Sequence, residues 1–122
     1  MVYSGKEITS WQGSRLGHDV AVLGNILVDE KVISQAYAAF EQGRKGAFAT
    51  RLMLALKAGE EQGGDNRCDK QAARSAFVSV YNPHTGAITE LSVFGTDKGG
   101  QPAVTLLKNK FDKLYQTDQG TN

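Results

Sequence analysis

The chain has 122 residues, 40% of them hydrophobic, and its 14 basic and 13 acidic side chains give a formal charge of +1. That length holds one domain with a single core and excludes two ordinary ones, and charges scattered at near balance offer no stripe for a phosphate backbone, so nucleic acid is not an expected partner. No apolar run approaches the roughly 18 residues needed to span a bilayer, and the N-terminus lacks the basic and apolar regions of a secretory signal, so a soluble chain without a membrane partner is expected and its compartment stays open.

From Asp19 to Val28 the chain reads Val20-Ala21-Val22-Leu23 and then Ile26-Leu27-Val28, an apolar run broken only by Gly24-Asn25. Such a run predicts a strand buried on both faces. Next, Val32, Ile33, Ala36, Tyr37 and Phe40 form one stripe at helical spacing, with Asp29 as N-cap and Gly43 as stop. Phe48, Leu52, Met53, Ala55, Leu56 and Gly59 repeat the pattern between Gly46 and Gly63, and the short link makes the two helices an antiparallel pair. Strands are predicted from Ser75 to Tyr81 and from Ala87 to Phe94, where Leu91 and Val93 alternate with Glu90 and Ser92. Asn82-Pro83-His84-Thr85-Gly86 between them is a hairpin loop by composition, and Gly95 to Gly100 a flexible connector. A last helix starts at Pro102 and lines up Val104, Leu107, Phe111, Leu114 and Tyr115. Residues 116–122 are polar and without period, which predicts a flexible tail after a folded unit of residues 1–115.

The fold class is therefore α+β, in the order strand, helix pair, two antiparallel strands, C-terminal helix. A strand buried on both faces needs a layer above and a layer below, and one C-terminal helix cannot supply the second. An incomplete domain is expected, its apolar sheet covered by a further segment or by a second copy of the chain. Met1-Val2-Tyr3-Ser4-Gly5 agrees, entering as the end of a strand.

The chemistry-bearing side chains gather after the second helix. Gly63-Gly64 can end that helix in the left-handed conformation, and Asp65, Asn66 and Arg67 then present an acid, an amide and a guanidinium together. Asn25, Glu60, Asp65 and Arg67 are the ligand-binding candidates: Asn25 as an amide aimed from a bulge at Gly24-Asn25, Arg67 as a fork for a carboxylate. Each has a structural alternative, Asn25 satisfying neighbouring backbone and Arg67 held in an ion pair with Asp65 or Glu60. Cys68 follows Arg67, and a nearby cation can lower a thiol pKa; with no His partner in view, an inert cysteine is the stronger expectation. As the single cysteine it forms no intrachain disulfide. His18 and His84 are far apart and without an i, i+4 partner, so no metal is expected. Asp65 to Asp69 lacks the ligand pattern of a calcium loop, and Gly43-Arg44-Lys45-Gly46 lacks that of a phosphate loop. No catalytic residue and no cofactor can be assigned.

Several segments resemble, in order, one family: Tyr3-Ser4-Gly5, Trp11-Gln12-Gly13, Leu23-Gly24-Asn25-Ile26-Leu27, Ala38-Ala39-Phe40, Leu56-Lys57-Ala58-Gly59-Glu60, Gly64-Asp65-Asn66-Arg67-Cys68 and Ser75-Ala76-Phe77. The chain resembles the Ntn-hydrolase-like family catalogued as domain of unknown function 1028, from about Tyr3 to Leu114. The resemblance implies an αββα sandwich, of which this chain matches the C-terminal half. It also implies an amide or peptide ligand, with the N-terminal nucleophile supplied by a half not seen here. At the position of Cys68 the commoner family pattern has Gly, which weighs against a catalytic thiol. Two functions from different classes follow. One is an Ntn-type amide-hydrolase half that is inactive alone and completed by its N-terminal half. The other is a non-catalytic ligand-binding or self-associating domain.

Overall fold

The computed structural model describes residues 11–120. Strands β1 (Trp11–Leu16) and β2 (Ala21–Leu27) form one antiparallel hairpin, and β3 (Ala76–Tyr81) and β4 (Ile88–Val93) form another. Helices α1 (Lys31–Gln42) and α2 (Phe48–Glu61) and a 3-10 helix (Asn66–Gln71) lie between the hairpins in sequence, and α3 (Ala103–Gly120) follows them. The chain is thus a small mixed α/β domain with two antiparallel sheets and four helices.

Local chemistry sets the ends of the helices. Before α1, Asp29 Oδ1 accepts the Lys31 N–H at 2.8 Å, and the Asp29 carbonyl accepts the Val32 N–H, so Asp29 supplies the cap from one residue ahead of the formal boundary at Glu30. At the other end of α1, Gly43 donates to the Ala39 carbonyl. The Phe40 carbonyl takes its hydrogen bond from Arg51 Nε of α2, at 3.0 Å, while the same guanidinium lies 3.8 Å from the centroid of the Phe40 ring. Arg51 is 8% exposed and its Nη2 has no partner. A buried cation is tolerable there because the carbonyl end of α1 and the ring face both carry partial negative charge.

The end of α2 depends on both glycines. Gly63 N–H donates to the Glu60 carbonyl and Gly64 N–H to the Gly59 carbonyl, the paired bonds of a Schellman stop, with φ of +106° and +54° at the two glycines. A Cβ on Gly64 would sit 2.7 Å from the Ala72 carbonyl oxygen, so the position is closed to side chains by backbone as well as by dihedral.

The main core lies behind the second hairpin. Ala49 and Met53 of α2, Val78 of β3, and Val104, Leu107 and Phe111 of α3 are all buried together, and Leu107 is 0% exposed. Each fully buried side chain of that size contributes roughly 1.5–3 kcal/mol. β4 adds Leu91 and Val93 from its inner face, as the alternation predicts. A second packed layer joins Val32, Ile33, Ala36 and Phe40 of α1, where α1 meets α2 and the first hairpin.

One expectation is overturned. β2 is not buried on both faces: its residues alternate between half-buried and exposed, and Leu23 is 72% exposed. Among the described residues α1 is the α-helix that backs this hairpin, so the apolar run packs mainly on one side. Among the described residues β2 pairs with β1 and, through the isolated bridge from Leu27, with Asp65, while the second hairpin forms a separate sheet. Strand β1 was not expected, because Trp11-Gln12-Gly13-Ser14-Arg15-Leu16 lacks alternation; the hairpin turn, in which Gly17 N–H donates to the Val20 carbonyl, brings it against β2. The α3 backbone continues to Gly120, into the stretch assigned to a tail. The opening residues Met1 to Gly5, read as the end of a strand, lie outside the described residues. Among the described residues no helix is long and apolar enough to cross a membrane.

Candidate functional site

The corner after α2 is bound to its surroundings by backbone. Val28 N–H donates to the Gly64 carbonyl at 3.0 Å, Leu27 and Asp65 form an isolated antiparallel bridge, and Asp65 N–H donates to the Ala72 carbonyl at 2.7 Å. Asp65 then opens the 3-10 helix, its Oδ1 accepting the Arg67 N–H at 2.8 Å. The Arg67 side chain turns back on the same acid, with Nε donating to Oδ1 at 3.0 Å and Nη2 to Oδ2 at 2.7 Å. These bonds hold the Asp65 carboxyl below the usual carboxylate range: the side-chain bonds from Arg67 do most, partial burial opposes, and the Arg67 N–H and charge add to the lowering.

Beyond Arg67 the backbone is strained. Asp69 has φ 50° and ψ −136° inside the 3-10 segment, and Ala72 has φ 65° and ψ −36°. Ala73 N–H donates to the Gln71 carbonyl across Ala72, which makes a γ-turn of the rarer, positive-φ hand. The third positive-φ residue that is not glycine among the described residues, Ile26, sits one residue before the Leu27 that bridges Asp65. All three therefore lie at or beside one corner, and such strain persists only where surrounding bonds over-determine it.

Gln71 supplies many of those bonds. It is 4% exposed; its Nε2 lies within hydrogen-bond range of Thr96 Oγ1 (3.0 Å), the Asp97 carbonyl (2.9 Å) and the Gln101 carbonyl (3.2 Å), and its Oε1 accepts the Gly99 N–H at 3.0 Å. Arg74 ties the same loop from the other side, donating from Nε to the Thr96 carbonyl and accepting the Thr96 N–H on its own carbonyl. The connector from Gly95 to Gly100, expected to be flexible, is fastened to the corner by these contacts. Between corner and loop lies an open cleft of about 1060 Å³, with Arg67, Cys68, Lys70, Arg74, Ser75 and Lys98 in its wall.

The four candidates from the sequence separate. Asp65 and Arg67 meet as an ion pair and line the cleft. Glu60 does not join them: its carboxylate, 7% exposed, accepts from Lys57 Nζ and from Thr105 Oγ1 (2.9 Å), which fastens α2 to the first turn of α3. Asn25 is exposed and outside the cleft wall. The bulge expected at Gly24-Asn25 falls one residue later, with Asn25 and Ile26 opposite Gln12, between the pairs Gly13↔Gly24 and Trp11↔Leu27. Cys68 is half-buried in the cleft wall. His18 and His84 are both exposed, and no group of three metal-ligating side chains occurs among the described residues.

Gln71 and Lys98 escaped the sequence because neither belongs to a spacing pattern. The one available signal was composition, a Gln among small residues shortly after a helix stop, and that is too common to single out.

Fold and corner together define a small α/β domain carrying an open cleft with charged side chains and a strained backbone residue in its wall. The chain belongs to the family of unknown function DUF1028, whose profile matches residues 1–106. No curated protein and no solved structure gives a significant match.

Proposed function

We propose that this chain is a binding module that holds a small polar ligand in the cleft between the Asp65–Ser75 corner and the loop around Lys98. One observation carries the proposal: the strained backbone at Asp69 lies in the cleft wall, with the buried turn at Ala72 directly behind it, and Gln71 and Arg74 fix the opposite wall. Pre-set walls reduce the ordering that a ligand must otherwise impose. The test is titration of the isotopically labelled chain with neutral amides, amino acids and dipeptides, followed by backbone amide shifts. Shifts confined to residues 65–75 and 96–101 are expected; a panel that moves none of these would overturn the proposal.

A second reading extends the first. By its resemblance to Ntn-hydrolases the cleft is the substrate-side wall of an amide hydrolase, and the position of Cys68 in that wall favours testing it. The isolated chain is expected to show no turnover of peptide or aminoacyl amides. Turnover that Cys68→Ala abolishes would make the thiol a nucleophile and would refute the inactive-half proposal.

The outward sheet faces bear on partners. Phe77, Tyr81 and Ile88 are each more than half exposed on the face of the second hairpin turned away from the core. This supports association with a second copy or a complementing segment, and sedimentation at micromolar concentration should detect species larger than the monomer. A monomer that binds no hydrophobic dye would sink that companion proposal.

A further inference from the structure

We propose that the Lys70, Arg74 and Lys98 side of the cleft is an anion subsite, which takes a ligand group with two or more acceptor oxygens, a carboxylate or a phosphate. This deepens the binding-module proposal and rests on the cleft being the ligand site.

The charges of the cleft wall do not cancel. Asp65 and Arg67 neutralise each other through their two-pronged pair. Lys70, Arg74 and Lys98 remain, against the single carboxylate of Asp69, and none of these four forms an ion pair among the described residues. All four side chains are exposed, so the excess acts through solvent and is sensitive to salt, but its convergence on one concave wall still favours an anion there.

The hydrogen-bonding inventory points the same way. Arg74 spends Nε on the Thr96 carbonyl at 2.8 Å, which fixes the base of the guanidinium and leaves the Nη hydrogens without a described acceptor. Ser75 Oγ accepts the Gly95 N–H at 2.9 Å, so its hydroxyl proton is still available to donate. The N–H groups of the two loop glycines in the wall are already used, Gly99 N–H on Gln71 and Gly100 N–H on the Asp97 carbonyl. Among the charged side chains outside the Asp65–Arg67 pair, the donors Lys70, Arg74 and Lys98 outnumber the one carboxylate, Asp69. Such a set matches an oxyanion, which offers acceptors alone. A neutral amide would satisfy fewer of these donors and none of the charge.

The experiment titrates the labelled chain with inorganic phosphate and, separately, with succinate, following the amides of Ser75, Lys98 and Gly99. Saturable shifts at those positions are expected, weakening as salt is raised. Lys98→Gln and Lys70→Gln, which remove side chains without a described bond, should each weaken binding on the order of tenfold. Arg74→Gln should weaken it at least as much, provided that its melting curve remains cooperative. Phosphate alone, or succinate alone, identifies the oxyanion. Neutral amides that move the cleft while neither anion does would overturn the subsite and leave the binding module standing. Shifts spread evenly to Lys45 and Lys110 mean an adventitious ion only and overturn the subsite too, while no response to any probe removes both proposals.

Discussion

The two hairpins of this domain are built from similarly apolar strands and end up in different situations. β3 and β4 pair without interruption over six positions, bury Val78, and rest on α2 and α3 together. β1 and β2 rest on α1, are interrupted by the bulge at Asn25-Ile26, and contain no fully buried residue. Strand sequence did not decide this. The number of helical faces behind each hairpin did, because a two-stranded sheet has too little surface of its own to hold together in water.

The contrast predicts a large asymmetry in stability. Leu107→Ala, at the centre of the core behind β3, should lose about 2–5 kcal/mol in denaturant unfolding. Val22→Ala in β2 should lose under about 1 kcal/mol, since only part of that side chain leaves water. Equal losses would mean that the first hairpin shares the core, and the contrast would fail.

Arg51 sharpens the same comparison from between the helices. Arg51→Ala removes both the bond to the Phe40 carbonyl and the packing on the ring, and about 1–3 kcal/mol should go with them. Arg51→Met keeps the stem and discards the unpartnered Nη2, so it should cost less than Arg51→Ala in the same thermal melts. The reverse order would show that charge, not packing, ties α1 to α2.

A smaller effect of opposite sign is expected at the corner. Asp69 is exposed and strained, so Asp69→Gly should raise stability by up to about 1 kcal/mol. A loss instead would show that the carboxylate makes an energetic contribution of its own.

The smallest effect belongs to Asp65 and Arg67. A double-mutant cycle with Asp65→Ala and Arg67→Ala should be non-additive, the sign of direct coupling. The folded-state pKa of Asp65 lies below its unfolded value, so the unfolded chain takes up the proton first. The contribution of the pair is therefore complete above about pH 4 and fades as pH falls through the folded value. Replacing Arg67 should flatten that acid limb in pH-dependent melts, and an unchanged limb would assign it to another carboxylate.

Most elements were legible in the sequence because burial is periodic. The helix stripes, the Asn82 to Gly86 turn and the inner faces of β3 and β4 follow from apolar spacing, and Asp29, Gly43 and Gly63-Gly64 mark helix ends that the structure uses. What spacing cannot report is which surface meets which. The apolar run of β2 is compatible with a central strand, and it is half-exposed because α1 is the one α-helix that backs it among the described residues. The candidate site divided along the same line. Asp65 and Arg67 are neighbours in sequence and could be paired by inspection. Glu60 is taken by Thr105, 45 residues away, and Gln71 acts on a loop 25 to 30 residues downstream, distances across which one sequence carries no signal.

The bond from Asp65 N–H to the Ala72 carbonyl closes residues 65–72 into a ring, and Gln71 anchors that ring to a second loop. Trypsin must draw several residues into an extended strand before it cuts, so Arg67 and Lys70, though exposed, are poor cleavage sites in the folded chain. The link at Arg44-Lys45 is exposed and held only within a short turn, Gly46 N–H donating to the Gly43 carbonyl, so it should be nicked before Arg67 and Lys70, leaving a protected fragment that begins just before α2.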